Sequence, residues 1–211
     1  MYYFLKRLFD IVGSIFGIIA LSPILLVTAL AIKLDSPGPI FVEESTRVGE
    51  KEKKFRMFKF RSMIEDAHVK IKKDPEFKKL YNKFERNSFK LQNDPRITMV
   101  GKFLRRTSLD ELPQFFNVFW GNMSLVGPRA LYPEELEVRK QDHPDLVEDL
   151  IRALKVKPGI TGPWQVSGRS ELSFRDRILL DKDYAQRRSI RRDIVILIKT
   201  IPAVIRGKGA Q

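Results

Sequence analysis

The sequence predicts a mostly helical α+β chain. An apolar N-terminal membrane helix, interrupted at Ser22-Pro23, precedes a small domain of short strands and basic amphipathic helices at the membrane surface. Three observations carry that reading. The 22 residues from Ile11 to Ile32 hold no charge. Apolar residues recur at helical spacing in three later segments. Finally, 39 Lys+Arg against 26 Asp+Glu give a net charge of +13, which attracts nucleic acid, anionic lipid headgroups or phosphorylated substrates.

The apolar run comes first. As a straight helix it is roughly 33 Å long, enough to cross a bilayer. It is too long for a secretory signal peptide, and no small-residue cleavage site follows it. A buried core helix is disfavoured because polar positions are nearly absent all round it. Pro23 removes a backbone donor and clashes with the preceding turn, so the helix kinks or breaks there. The Ser22 hydroxyl offers a partner to a freed carbonyl. Lys6 and Arg7 precede the run and Lys33 follows it, so both ends carry the positive charge of a cytoplasmic flank. On these grounds a spanning helix and one that dips in and returns stand level.

The remaining elements follow in order. Asp35-Ser-Pro-Gly-Pro39 is a turn cluster that ends the membrane element. Phe55 to Phe60, mixing aromatic and basic residues, suits a short strand. From Ile64 to Phe89 the chain is Lys-rich. Phe77, Leu80, Tyr81 and Phe84 form a helical stripe there, which fits either a surface helix on the core or one lying among headgroups. Leu112, Phe115, Phe116 and Phe119 predict a helix starting near Asp110, with Pro113 in its first turn and Gly121 as its stop. The aromatic run Phe115–Trp120 is read as core rather than interface, and the chain is compatible with a homo-oligomer. Pro158 to Arg169 reads as a Gly/Pro-rich loop. Ile190, Ile194, Leu197, Ile198 and Ile201 stripe a last helix that Pro202 ends or kinks, and Arg206 to Gly209 is a basic tail. A duplex DNA binder has no use for the membrane segment, so nucleic acid is not an expected partner.

No cysteine is present and only two histidines, which excludes disulfides, thiolate metal sites and a Cys nucleophile. Any metal rests mainly on oxygen. The richest stretch for chemistry is Arg105-Arg-Thr-Ser-Leu-Asp-Glu-Leu-Pro-Gln114. Asp110 there has two readings. One is a plain helix N-cap. In the other, adjacent carboxylates are kept ionised by the free N–H groups of a helix start, which also attracts phosphate. An ionised Asp attacks phosphorus to give an acyl phosphate, and a neighbouring Glu acts as a base or helps hold a divalent cation. Mg²⁺ suits such an oxygen-only site shared with substrate phosphates. Arg105 and Arg106 neutralise a pyrophosphate. Lys59-Phe-Arg61, Gly127-Pro-Arg129 and the loop closing on Arg169 add cations and turns.

The order of these motifs resembles the bacterial sugar transferases, the monotopic polyprenyl-phosphate phosphoglycosyl transferases that begin glycan assembly on lipid carriers. The matching segments are Ser-Pro in an N-terminal apolar run, KFRSM (59–63), NDPRIT (93–98), RRTSLDELPQ (105–114), SLVGPR (124–129) and KPGITGPWQVSGR (157–169). They cover the chain from about Lys6 to Gly209, and its length resembles the form that holds the catalytic core alone. The resemblance implies a re-entrant helix over residues 1–35, broken at Ser22-Pro23. It also implies a catalytic domain over 36–211 on the cytoplasmic face of the bacterial inner membrane. Asp110 is expected to attack the β-phosphate of a UDP-sugar, releasing UMP and leaving a phosphosugar on the enzyme. Polyprenyl (undecaprenyl) phosphate then takes it as a polyprenyl diphosphate sugar. Glu111 is the expected partner carboxylate, and Mg²⁺ is expected on Asp110. Arg105, Arg129, Arg169 and Asp193 are expected to line the site, with Lys59 and Arg61 near the phosphates. Two departures stand out. The family's Pro-Arg-Pro turn is Pro128-Arg129-Ala130 here, and Arg187, Arg188, Arg191 and Arg192 form a basic cluster suited to anionic membrane lipids. Rival readings are a membrane-anchored metal-dependent hydrolase of nucleotide diphosphates and a non-catalytic basic scaffold.

Overall fold

The apolar run folds into one helix, α1 (Tyr2–Asp35), 34 residues long with Pro23 inside it. The computed structural model describes residues 2–42, 45–67, 94–168 and 171–205. A proline leaves the carbonyl four positions earlier without its donor. That carbonyl belongs to Ile19, and it accepts a hydrogen bond from Ser22 Oγ at 2.8 Å. The expected break at Ser22-Pro23 is therefore corrected. The serine supplies the bond that the proline removes, and helical structure continues to Asp35.

The surface of α1 is reversed relative to a helix of a water-soluble protein. Its buried face is Asp10, Ser14, Gly17, Thr28 and Ile32. Its large apolar side chains point outward, Phe16 at 73% exposure, Leu26 at 72% and Leu34 at 79%. A contiguous apolar surface of this extent marks contact with lipid or protein. The helix is long and apolar enough to cross a membrane. Both halves are docked. Arg7 donates to the carbonyls of Val118 and Phe119, and Asp10 Oδ1 accepts from Ser124 Oγ and the Leu125 N–H. Near the other end, Ile32 is buried with Phe60 and Leu104.

After the turn at 36–40, β1 (Thr46–Val48) pairs antiparallel with β2 (Lys54–Arg56). The strand expected over 55–60 is shorter than read. Beyond Arg56 the chain continues extended, joined by isolated bridges from Phe60 to Phe41 and from Met63 to Ile97. The Lys-rich stripe around Phe77–Phe84 lies outside the described residues, as does the tail from Arg206. Thr98 caps α2 (Met99–Thr107), its Oγ1 accepting the Gly101 N–H. Gly101 is required there, because a Cβ would stand 2.0 Å from the Ser62 carbonyl oxygen. The NDPRIT segment is thus laid directly against KFRSM.

Ser108, in the left-handed region at φ 58°, ends α2 and turns the chain into a 3₁₀ turn, Leu109–Glu111. The α-helix that follows, α3 (Gln114–Trp120), begins only after Pro113. The expected start at Asp110 is corrected on that point: Pro113 precedes the α-helix, and the Ser108 reversal sets the register. The face of α3 is corrected in part: Phe115 packs against the core, but the last two rings turn outward. Gln114, Asn117 and Val118 are buried, while Phe119 and Trp120 are exposed.

A β-α-β unit completes the frame. β3 (Ser124–Val126) pairs parallel with β4 (Gly159–Thr161). The chain between them runs through α4 (Pro133–Asp142) and α5 (Val147–Ala153). The stretch read as a Gly/Pro-rich loop therefore holds a strand and the short helix α6 (Pro163–Ser167). The glycines are needed for packing: a Cβ on Gly159 would meet the Gly127 amide nitrogen at 2.0 Å. Then come α7 (Phe174–Arg187) and α8 (Ile190–Ile205). Pro202 lies inside α8 and does not end it. The stripe read for this helix points outward: Ile194, Ile198 and Ile201 are exposed, whereas Asp193 and Ile196 are buried. The main core gathers Val118, Met123, Leu125, Val126, Tyr184 and Ile196 around β3.

Candidate active site

The site is assembled on the extended segment 58–63. Val42 N–H bonds to the Lys59 carbonyl at 2.9 Å and Arg61 N–H to that of Ile40 at 2.8 Å. On the other side, Phe60 N–H donates to the backbone carbonyl of Asp110 at 2.9 Å. This last bond fixes the SLDEL turn against KFRSM, and the side chains meet accordingly. Lys59 Nζ lies 2.8 Å from Asp110 Oδ2 and 3.7 Å from Glu111 Oε1. The Asp110 carboxylate is almost fully enclosed, whereas the side chain of Glu111 is 42% exposed. A buried carboxylate with one cation on one oxygen is oriented, not merely solvated. Because the α-helix starts after Pro113, Lys59 rather than a run of free helical N–H groups supplies the positive partner.

Asn117, which the sequence reading passed over, holds this segment from beneath. It is fully buried. Its Oδ1 accepts the Phe58 N–H at 2.7 Å and its Nδ2 donates to the Arg56 carbonyl at 2.8 Å. A lone amide among the aromatics of FFNVFW is the signal that marks it, since a buried amide must find partners. On the far side Arg96 forks onto Asp94, Nε to Oδ1 at 2.8 Å and Nη2 to Oδ2 at 2.6 Å. Burial pushes the Asp94 carboxyl up, but the hydrogen bonds from Arg96 outweigh it and hold the group below its ordinary range. Arg105 donates from Nε to Ser62 Oγ at 3.1 Å, so α2 delivers it to the same segment.

The other expected residues separate. Arg61 is buried, and its guanidinium donates to the carbonyls of Ser36 and Pro37. It clasps the turn after α1 and is engaged there by backbone carbonyls. Asp193 is likewise engaged within the protein. It has no exposed surface, receives Lys6 Nζ at 2.8 Å and accepts from Tyr184 Oη at 2.7 Å. Burial raises its carboxyl above the ordinary range, with Lys6 acting against the rise. Arg169 lies outside the described residues.

Arg129 belongs to another cluster. Its guanidinium carbon lies 5.6 Å from the centre of the Trp164 ring, and that of Arg177 lies 5.0 Å from the same ring. The buried Asp181 accepts the Arg129 backbone N–H. Burial pushes its carboxyl up to about 8, against the opposing pull of Arg129 and Arg177. This backbone bond steadies the turn where Ala130 replaces the family's second proline.

Among the described residues no group of three or more His, Asp or Glu side chains is placed to hold a metal. Two adjacent carboxylates, one of them open, form the donor set that Mg²⁺ uses when it shares substrate phosphates, so Asp110 and Glu111 fit that ion.

Residues 1–207 match the family model described as bacterial sugar transferase. The chain belongs to that family. This sugar transferase is 43% identical over 211 residues to the undecaprenyl-phosphate galactose phosphotransferase of Salmonella typhimurium, covering 98% of the chain and 42% of that protein. It is 40% identical over 207 residues to the exopolysaccharide production protein ExoY of Sinorhizobium fredii, covering 97% of the chain and 87% of that protein. Against the UDP-glucose:undecaprenyl-phosphate glucose-1-phosphate transferase of Escherichia coli the identity is 42% over 202 residues, 93% of the chain and 39% of the relative. The chain thus spans less than half the length of two of these relatives and most of the third.

Proposed function

We propose that the transferase moves a sugar-1-phosphate from a UDP-sugar to polyprenyl phosphate through a covalent intermediate on Asp110. The observation that carries this reading is the enclosed Asp110 carboxylate, held by Lys59 beside an open Glu111, in a body whose N-terminal helix turns its apolar face outward. In the first step an Asp110 oxygen bonds to the β-phosphorus, the bond from that phosphorus to the bridging oxygen breaks, and UMP leaves. In the second, an oxygen of polyprenyl phosphate bonds to the same phosphorus and the bond to Asp110 breaks. The products are a polyprenyl diphosphate sugar and free enzyme. One pyrophosphate replaces another, so no further energy source enters.

Within this scheme Lys59 withdraws negative charge from the carboxylate and then faces the phosphoryl oxygens. Glu111, being open, takes a proton from the incoming lipid phosphate. Asp110 and Glu111 would hold Mg²⁺, which would supply charge neutralisation on the donor's phosphates. Arg105 stands beside the same segment for the diphosphate, and Arg129 serves the donor from its Trp164 platform. Both halves of α1 dock on one protein body, which supports a helix that stays with that body at the cytoplasmic face of the inner membrane and does not cross to the far side. The exposed Arg187 and Arg191 suit anionic headgroups at that surface.

The test is UMP release from a panel of UDP-sugars with undecaprenyl phosphate and Mg²⁺, alongside Asp110→Asn. Lipid-dependent release that disappears in the variant is the expected result. Activity retained in Asp110→Asn removes the covalent step, and release without lipid means that water is the acceptor.

A further inference from the structure

No step of the proposed reaction uses Asn117, yet its side chain is the most constrained polar group of α3. It is fully buried, and a buried amide is tolerated only where its groups find partners. Here both ends bond to one neighbouring segment. Oδ1 accepts the Phe58 N–H at 2.7 Å and Nδ2 donates to the Arg56 carbonyl at 2.8 Å. In a parallel ladder one residue bonds in the same way to the two residues flanking its opposite number. The amide therefore serves as a one-residue strand opposite Met57, offered by a helix whose own peptide groups are turned along its axis. Its mounting is firm, because the Asn117 carbonyl accepts the N–H groups of Gly121 and Asn122 at 3.0 Å and of Met123 at 3.2 Å.

The consequence falls on Lys59. Successive residues of an extended segment turn their backbone groups to opposite sides. Phe58 and Phe60 bond on one side, to Asn117 Oδ1 and to the Asp110 carbonyl. Lys59 and Arg61 bond on the other, to Val42 and Ile40. Lys59 is thus gripped at both of its neighbours. The Asp110 turn and the helix after it supply both grips, so the unit that carries the carboxylate also fixes where its cation arrives. We infer that Asn117 is a positioning residue for the transfer: its side-chain amide sets the place of Lys59 Nζ, 2.8 Å from Asp110 Oδ2, and acts on the reaction through that lysine. The inference rests on the reaction proposed above and adds how its lysine is held.

The decisive measurement is a double-mutant cycle on kcat for UMP release with Asn117→Leu and Lys59→Ala. Asn117→Leu keeps the side-chain volume and removes both bonds. Alone it is expected to lower kcat by roughly 10- to 100-fold, the effect of displacing a reacting group by about an ångström, with KM for the UDP-sugar held. In the Lys59→Ala background the same substitution is expected to lower kcat by no more than about twofold, because the group it positions is gone. Equal falls in the two backgrounds overturn the inference, since a general loss of structure does not depend on Lys59. Should Asn117→Leu fail to fold, Asn117→Gln, which keeps the amide and moves it by one methylene, takes its place with the same two outcomes. A second arm is independent of turnover. The protein in nanodiscs is pulsed with an N-hydroxysuccinimide ester of acetate, and modification of Lys59 and Lys6 is followed by peptide mass spectrometry. Both ammonium groups are largely enclosed and hold carboxylates. The Asn117 variant is expected to raise the Lys59 rate several-fold and leave that of Lys6 as in the wild type. An unchanged Lys59 rate, or an equal rise at both lysines, overturns the inference. Absence of lipid-dependent UMP release in the wild type strikes the proposed reaction instead, and the modification arm still decides the clamp.

Discussion

Lys59 is the side chain on which the geometry of the site turns, because it fixes one oxygen of Asp110 and leaves the other free. Lys59→Ala is expected to lower kcat/KM for UMP release by about 10²- to 10³-fold, the usual effect of removing one charge-stabilising donor, with Lys59→Arg restoring part of it. Asp181 provides a pH test. Its folded value of about 8 stands above the ordinary 3.8, so between those values the folded chain keeps a proton that the unfolded chain releases. Stability therefore falls as pH rises across that window. Asp181→Asn is expected to flatten the fall, read as a smaller drop in thermal midpoint between pH 5 and pH 8 than the wild type shows. At this scale the sequence spoke unevenly. Asp110, Glu111 and Lys59 stood out as candidates because a carboxylate pair and a cation occupy recognisable motifs, and the structure brings the three together. The surroundings of Arg61 and Asp193 could not be read, because a motif gives identity and order but not what a side chain faces.

Among the elements, α1 shows how a helix survives a proline in a place without water. Ser22→Ala is expected to cost about 1–2 kcal/mol by leaving the Ile19 carbonyl unpaired, measured by thermal unfolding in nanodiscs. The extent of this helix was readable from the charge-free run, whereas its continuity was not, since that depended on one side-chain rotamer. The aromatic run of α3 was read as core and its last two rings face outward, whereas the aliphatic stripe of α8 faces outward as a membrane-surface helix requires. Apolar periodicity marks the core only when the other side is water. Here Phe119, Trp120, Ile194, Ile198 and Ile201 face outward, while Asn117 and Asp193 face in.

Across the whole molecule, the N-terminal and C-terminal helices are joined by charge. Lys6 sits between Asp10 at 3.0 Å and Asp193 at 2.8 Å, and Tyr184 and Ser124 complete the cluster. Lys6→Met is expected to destabilise the protein by roughly 3–5 kcal/mol, since two buried carboxylates lose their shared cation. A loss within the range of a surface pair, in chemical or thermal unfolding, would count against that role. The β-α-β unit and the two short sheets were only partly foreseen, because their strands are three residues long and too short for alternation to show.

The same cluster sets an order of events during synthesis. Lys6 and Asp10 of α1 leave the ribosome long before Asp193 is made. Until then Lys6 has only Asp10 to hold and lacks its second carboxylate. Closure of this cluster therefore waits for α8, the helix that carries Asp193.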